Sequence, residues 1–505
     1  MKKSNVLNTW VAGLSRRKQL LLALISGAVA ALGQAPVGAW PLTILALALV
    51  YGMFRLAQGW RRAAFLGWIF GVGYFAIALS WMIEPFLVDV ARYGWMVPFV
   101  IVLVSTGFAL FWGLGFGVAK VMGGRAIAWV AALVITEALR GTVFTGFPWA
   151  QIGHVLIDTP LLQWAIFAGS LGLSAIVLTA ATSLWSALTM RNTTGLLALA
   201  VITGMHATGN AINPAPVVPE DARIMRLVQP NAPQRDKWDP IKSKIFFNRM
   251  LDFTAADTRP DLIVWPEAAI TPLLRNARPE LEAIAKAADG VPVALGLVRV
   301  EGGRLYNSMI IVDQTGQVGD IYDKSHLVPF GEYMPFGDLL KRIGISGMAS
   351  RDGNGFSPGP AGRVIEVAGV GTAQPLICYE SIFSDDIRAV SERADFMMLI
   401  TNDAWFGKIS GPYQHLAQAR LRSVEQGLPM IRAANTGISA MIDATGQITA
   451  QIPLGQAGWK DAALPPPMPP TFFARFGDLP ILTLLAFMLF ISAVTGRGRT
   501  ALRTD

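Results

Sequence analysis

The sequence predicts a multi-domain membrane protein. An N-terminal bundle of transmembrane α-helices leads into an α/β layered domain outside the cytoplasm, and one C-terminal transmembrane helix follows. Three observations carry this prediction. Seven apolar segments fill the first two-fifths of the 505 residues. From there to about residue 470, short apolar strands alternate with helical patterns, the mark of α/β layers. An eighth apolar segment, 479–495, is followed by Arg497, Arg499 and Arg503. The expected domains are 1–212, 213–470 and 471–505.

Composition sets the bounds. Hydrophobic residues make up 53% of the chain and charged residues 15%, too apolar for an ordinary soluble enzyme. The net charge of +8 does not point to nucleic acid, because many basic residues flank apolar runs and no basic-aromatic stripe is present. A single cysteine, Cys378, excludes an internal disulfide and a Cys-rich metal site. The four histidines, His154, His206, His326 and His415, lack metal-ligand spacing. Neither a metal nor a cofactor is expected.

The seven N-terminal segments lie at about 19–35, 40–57, 63–83, 94–119, 126–140, 161–189 and 193–209. A signal peptide is the competing reading of the first, with its basic start and small residues at 28–30. Six spans after it favour an uncleaved helix. Charge orients the bundle. The loops after the second, fourth and sixth segments carry Arg55, Arg61 and Arg62, then Lys120 and Arg125, then Arg191. The loop after the first is uncharged, and the loop after the third holds Glu84, Asp89 and Arg92. Basic loops stay in the cytoplasm, which puts both termini inside and the 215–470 region outside.

In that region the strand candidates are 224–228, 262–265, 291–298, 308–312, 376–378, 396–400, 437–442 and 447–452, with a hairpin between the last two. Helices are expected over 243–255, 279–288 and 413–425. The Pro-rich stretch 464–470 reads as a stiff tether to the last span.

Three polar residues stand where strand-like runs give way to loops. Cys378 follows Pro375-Leu-Ile377, Glu267 closes Leu262-Ile-Val-Trp-Pro266, and Lys324 opens the stretch 324–333. Open α/β sheets carry reactive groups at such ends. Thiol, carboxylate and amine also make a chemical set. A thiolate is a nucleophile, a carboxylate can take the thiol's proton, and an ammonium with a backbone N–H can stabilise an oxyanion. Taken singly, each has a structural reading, Cys378 as a small core residue and Glu267 with Lys324 as an ion pair. A histidine partner for the thiol is the competing arrangement. His326 sits two residues from Lys324, and His415 reads as a surface or capping residue on a polar helix.

The segments Trp265-Pro-Glu267, Tyr322-Asp-Lys324 with its continuation to Tyr333, and Ile377-Cys378-Tyr379-Glu380 resemble the Glu-Lys-Cys motifs of the nitrilase superfamily. With the membrane topology, the whole chain resembles the bacterial apolipoprotein N-acyltransferases. The resemblance implies an α-β-β-α sandwich in the periplasm, set in the inner membrane. It implies Glu267 as general base, Lys324 as oxyanion lysine and Cys378 as nucleophile. Glu332 matches a second active-site glutamate and Glu380 an acidic position after the nucleophile. Trp238 matches a tryptophan near the site, and Asn307 and Tyr379 match pocket positions. It implies a phospholipid acyl donor and a diacylglyceryl-lipoprotein acceptor, with no nucleic acid, and a monomer is expected.

Two apolar stretches suit an opening for lipid. Phe336, Leu339, Leu340 and Ile343 recur at helical spacing opposite Lys341 and Arg342. Trp405 and Phe406 follow a strand end at Asn402-Asp403. The resulting expectation is a lipoprotein N-acyltransferase acting through a Cys378 thioester. One rival is a membrane-tethered amidase using the same triad. The other is a transporter or receptor, which the absence of paired charges in the spans disfavours.

Overall fold

The computed structural model describes residues 6–190, 193–256, 258–335 and 355–501. Its chain divides into two compact units, one of residues 1–214, 409–417 and 471–505, the other of residues 215–408 and 418–470.

The first unit is helical, and each of the eight apolar segments coincides with a helix. These are Arg16–Ala31, Trp40–Leu56, Gly59–Ala78, Val97–Val121, Ala126–Thr142, Ala165–Met190, Thr193–Ile212 and Leu479–Ala501. Among the described residues, four helices are long and apolar enough to cross a membrane. A fifth counts if Gly59–Ala78 and the bent continuation Ser80–Leu87 form one span. Trp40–Leu56 is apolar but, at 17 residues, reaches only about 25 Å. Small residues let the helices approach closely. A Cβ on Gly27 would lie 1.9 Å from the Phe70 carbonyl oxygen, and one on Gly73 would lie 2.0 Å from that of Leu24.

The expectation of spans without paired charges fails at Glu137 and Arg140, both buried one turn apart in Ala126–Thr142. They serve the backbone of the following loop. Glu137 accepts from the Ile152 amide at 2.9 Å and the Ser174 hydroxyl at 2.6 Å, while Arg140 donates to the carbonyls of Phe147 and Trp149. His415 is a second correction. It is fully buried and stacks on the Trp149 ring at 5.6 Å, so it is not a surface residue. The polar residues around it concealed that burial in the sequence.

The second unit holds β1 (Ile224–Gln229), β2 (Leu262–Val264), β3 (Val293–Glu301), β4 (Arg304–Val312), β5 (Val318–Asp323), β6 (Ile365–Val367), β7 (Gly371–Ile377), β8 (Phe396–Thr401), β9 (Met430–Ala434), β10 (Ser439–Ile442), β11 (Ile448–Ile452) and β12 (Gly458–Ala463). They form two six-stranded sheets, ordered β12-β1-β2-β3-β4-β5 and β11-β10-β9-β8-β7-β6. Alternation builds the layers. Met225, Leu227, Leu262 and Val264 point into a core shared with Ile377, Met398, Ile400 and Ile431 of the other sheet. Ile263, Trp265, Val293 and Leu295 point the opposite way, where they pack with Met250, Leu281 and Ile284 of the helices Lys242–Thr254 and Arg278–Ala288.

Direction matters most for the site. β1, β2 and β3 are parallel, as are β7, β8 and β9. β4 is antiparallel to β3, and β5 is antiparallel to β4, so β5 runs with β2. The residues after β2 and β5 therefore leave their sheet at one end.

Candidate active site

Each principal side chain follows a strand end. Cys378 comes directly after β7 and opens a short 3₁₀ turn, Cys378–Ile382, with φ at +52°. A non-glycine residue in that conformation costs of order 1–3 kcal/mol, which the surrounding contacts must hold in place. Glu380 supplies much of that hold. One carboxylate oxygen accepts the Ile377 amide at 2.7 Å. The other accepts the Ser325 amide at 2.7 Å, the Ser325 hydroxyl at 2.8 Å, the Tyr322 hydroxyl at 2.8 Å and the His326 amide at 3.2 Å. One buried carboxylate thus ties the turn of Cys378 to the loop of Lys324.

Glu267 stands three residues beyond β2, before Ala268 at φ +47°. Its two oxygens are held separately. Asn307 Nδ2 donates to one at 2.7 Å, and the backbone N–H of Asn402, just after β8, donates to the other at 2.8 Å. Lys324 follows β5 and is almost fully buried. Its Nζ lies 2.9 Å from Glu332 and 3.9 Å from Glu267. Asn307 also donates to Glu332 at 3.1 Å, and Glu332 accepts the Val328 amide at 2.8 Å. Glu267, Asn307, Glu332 and Lys324 thus form one hydrogen-bonded set.

The electrostatics follow from burial. The Cys378 thiol is pushed well above the ordinary thiol range by burial and then by the Glu267 charge, while Lys324 and Thr401 pull it down. Burial lowers the Lys324 ammonium, but Glu332 and Glu267 outweigh it and hold it above the usual lysine range. Burial likewise raises the Glu380 carboxyl against the hydrogen bonds that it accepts. The thiol is therefore favoured in its neutral form, with the Lys324 ammonium and the Glu267 carboxylate among the charges that act on it.

The outer residues differ. Tyr379 is buried edge-on against Phe383. Trp238 is half exposed, Trp405 is 37% exposed, and Phe406 packs against the core between the sheets. Phe336, Leu339, Leu340 and Ile343 lie outside the described residues. His326 bonds Asp386 through Nδ1 at 2.6 Å and stacks on Phe383.

Sequence reasoning missed two groups. Asp403 and Arg432 form a fully buried pair at 2.5 Å behind the site. Lys237, only 5% exposed, donates from Nζ to the Glu267 carbonyl oxygen at 3.0 Å. Burial lowers its ammonium to about 8, with the charges of Glu267 and Cys378 opposing. Its charged neighbours Arg235 and Asp236 make the segment look like solvated loop. The signal available was its place beside Trp238.

Comparison with known proteins bears on both units. The Carbon-nitrogen hydrolase family matches residues 217–467, and the Apolipoprotein N-acyltransferase N-terminal domain matches residues 26–183. An apolipoprotein N-acyltransferase of Rhodopseudomonas palustris is 36% identical, covering 94% of each chain. Those of Sinorhizobium fredii and Brucella melitensis are 37% and 35% identical, covering 86% and 97% of this chain and 86% and 96% of their own. Among solved structures, an amidase from Nesterenkonia sp. aligns at 19% identity with a TM-score of 0.37, covering 49% of this chain and 93% of its own.

Proposed function

The chain belongs to the apolipoprotein N-acyltransferases, and on that premise we propose how its site moves an acyl chain. It is an acyltransferase that N-acylates lipoproteins, with phospholipid and lipoprotein as substrates. The acceptor is the α-amino group of an N-terminal diacylglyceryl-cysteine, and transfer runs in two halves through a thioester on Cys378.

In the first half, Glu267 takes the Sγ proton as sulfur attacks the ester carbonyl. Lys324 and a backbone N–H of the Cys378 turn receive the oxyanion. The carbon–oxygen bond breaks, the leaving alkoxide takes the proton from Glu267, and lysophospholipid departs. In the second half, the amine attacks the thioester and gives its proton to Glu267. The carbon–sulfur bond breaks, and the thiolate recovers that proton. One observation carries this reading. The Glu267–Asn307–Glu332–Lys324 set surrounds an ammonium, and Glu380 binds its loop to the turn of the only cysteine.

The frame is an inner-membrane protein with eight spans, the shorter helices Arg16–Ala31, Trp40–Leu56 and Leu479–Thr495 included. Residues 1–212 form the bundle, 213–470 the catalytic domain in the periplasm, and 471–505 the closing helix and tail. Phe336, Leu339, Leu340, Ile343, Trp405 and Phe406 guide the lipid, with Trp238 and Tyr379 lining the approach. The enzyme works as a monomer without metal or cofactor. Incubation with phospholipid alone tests the mechanism. The protein should gain the mass of one acyl group, lose it to neutral hydroxylamine, and release one lysophospholipid per enzyme. Lysophospholipid that forms only when acceptor is present, on a protein that never gains mass, would overturn the thioester.

A further inference from the structure

We propose that Lys237 is a positioning residue of the transfer site, a second cation that holds the backbone of Glu267 and offsets the negative charge formed on Cys378. The proposal rests on Cys378 as nucleophile.

The segment carrying Lys237 is built for placement. Asp236 and Lys237 both donate their amides to the Pro233 carbonyl, closing a turn. Asn435 clamps the residue before that turn, accepting from the Ala232 amide and donating to the Ala232 carbonyl, each through its side chain. Asn435 also donates to Asn402, whose side chain donates to Gln234. The same Asn402 gives its backbone N–H to Glu267. The turn and the general base are therefore fixed by one residue, and Lys237 closes the circuit from the other side through the Glu267 carbonyl.

A charge in that place needs a reason. Burying an ammonium costs several kcal/mol unless an opposite charge answers it. A neutral amide would serve the Glu267 carbonyl as well. Among the described residues no carboxylate forms an ion pair with Lys237, and the two charges it feels are Glu267 and Cys378. Lys324, by contrast, is already answered by Glu332 and Glu267. The other charged or titratable groups facing the sulfur are Glu267 after β2, Lys324 after β5, and Asp403 after β8, itself paired with Arg432. Tyr379 and Glu380 share the turn of Cys378. Lys237 is thus a second buried cation in the neighbourhood of the sulfur, met otherwise by the Trp238 ring, whose centroid lies 6.0 Å from Nζ.

Alkylation of Cys378 reads this without turnover. The full-length protein in detergent has one cysteine, so uptake of iodoacetamide followed by intact mass reports that thiol alone. Lys237→Gln keeps an N–H for the Glu267 carbonyl and removes the charge. Lys237→Met removes both. At pH about 8 each should alkylate about tenfold more slowly than the parent, as a thiol raised by one further pKa unit does. Lys237→Arg should stay near the parent rate. Folded Gln and Met variants with an unchanged rate and pH profile would overturn the proposal. Failure of both to fold, judged by gel filtration and circular dichroism, would assign Lys237 to the fold and overturn it as well. A negative result here leaves the acyl-enzyme mass experiment free to succeed, so the two readings fail separately.

Discussion

Glu380→Gln tests how far the site depends on one buried carboxylate. Both oxygens of Glu380 face backbone N–H groups, Ile377 on one side and Ser325 with His326 on the other. Backbone N–H groups only donate, so both oxygens must accept. An amide has one accepting oxygen and one donating nitrogen. Either orientation of glutamine therefore sets N–H against N–H. If its oxygen keeps the Ser325 side, the Ile377 amide is orphaned, at a cost of about 1–3 kcal/mol. The four bonds that remain lose their charge assistance, together about 2 kcal/mol. The loss should reach about 3–5 kcal/mol, comparable to removing one partner of a buried ion pair. Ile377 directly precedes Cys378, so the turn at φ +52° should relax and turnover should fall about a hundredfold. Thermal unfolding in detergent and the rate with a short-chain ester donor would measure both. For a unit of this size the midpoint should drop by roughly 6–15 °C. A variant matching the parent in midpoint and rate would show that Glu380 is protonated in the parent and does not bind the two loops as argued.

Three further outcomes follow from the geometry. Gly296→Ala should cut activity strongly with the triad intact, because its Cβ would fall 2.6 Å from the Ala268 amide and 2.7 Å from the Glu267 Cα. Normal kcat in a folded variant would show that the Glu267 turn can shift freely. Lys324→Met should lower kcat on the order of 10²–10³-fold, measured with saturating donor. Near-normal turnover would make Lys324 a structural ion-pair member. Glu267→Gln should abolish transfer yet speed alkylation of Cys378 at pH 8, since the Glu267 charge raises the thiol. An alkylation rate that falls would mean that Glu267 is not the charge that keeps the thiol neutral.

The sequence made the strand ends legible and hid the groups around them. Glu267 and Cys378 are polar residues that stop apolar runs, and that contrast is local, whereas Lys324 follows the mixed strand Val318–Asp323 and is singled out by its motif. β9 was invisible because Arg432 interrupts Met430–Ala434. The arginine is tolerated only because Asp403, distant in sequence, pairs with it in the core. β12 reads as loop, with Lys460 and Asp461 in its middle, yet Asp461 meets Arg226 of β1 at 2.7 Å. Lys237 and His415 were concealed in the same way. Each is polar among polar residues, and burial is a property of the folded chain that local texture does not report. The eight helices were plain from hydropathy. Their status as spans was not, because a helix such as Trp40–Leu56 falls short of the roughly 30 Å hydrocarbon layer.

Under the proposed mechanism, the charge pattern of the site would explain how an acyl-enzyme can wait. At rest burial keeps the thiol neutral, and Glu267 is its proposed proton acceptor. As sulfur attacks, the proton moves to Glu267 and the charge moves to sulfur, then to the oxyanion beside Lys324, then to the leaving alkoxide, which recovers the proton. The net charge is the same at every stage. A buried site tolerates that exchange far better than it would a gain of charge. The thioester itself is neutral, and Glu267 is again ionised, ready for the proton of the amine. In that mechanism Glu332 has a role too, because it anchors Lys324 at 2.9 Å while Glu267, the proposed proton acceptor, lies 3.9 Å from the same Nζ. In Glu332→Gln, Lys324 should be drawn onto Glu267. That would weaken the base and displace the oxyanion donor together, so acylation by phospholipid and discharge by a diacylglyceryl-cysteine peptide should slow by similar factors, about tenfold or more. Single-turnover kinetics separates the two halves. A variant slowed in only one of them would mean that Lys324 and Glu267 are not held apart by Glu332.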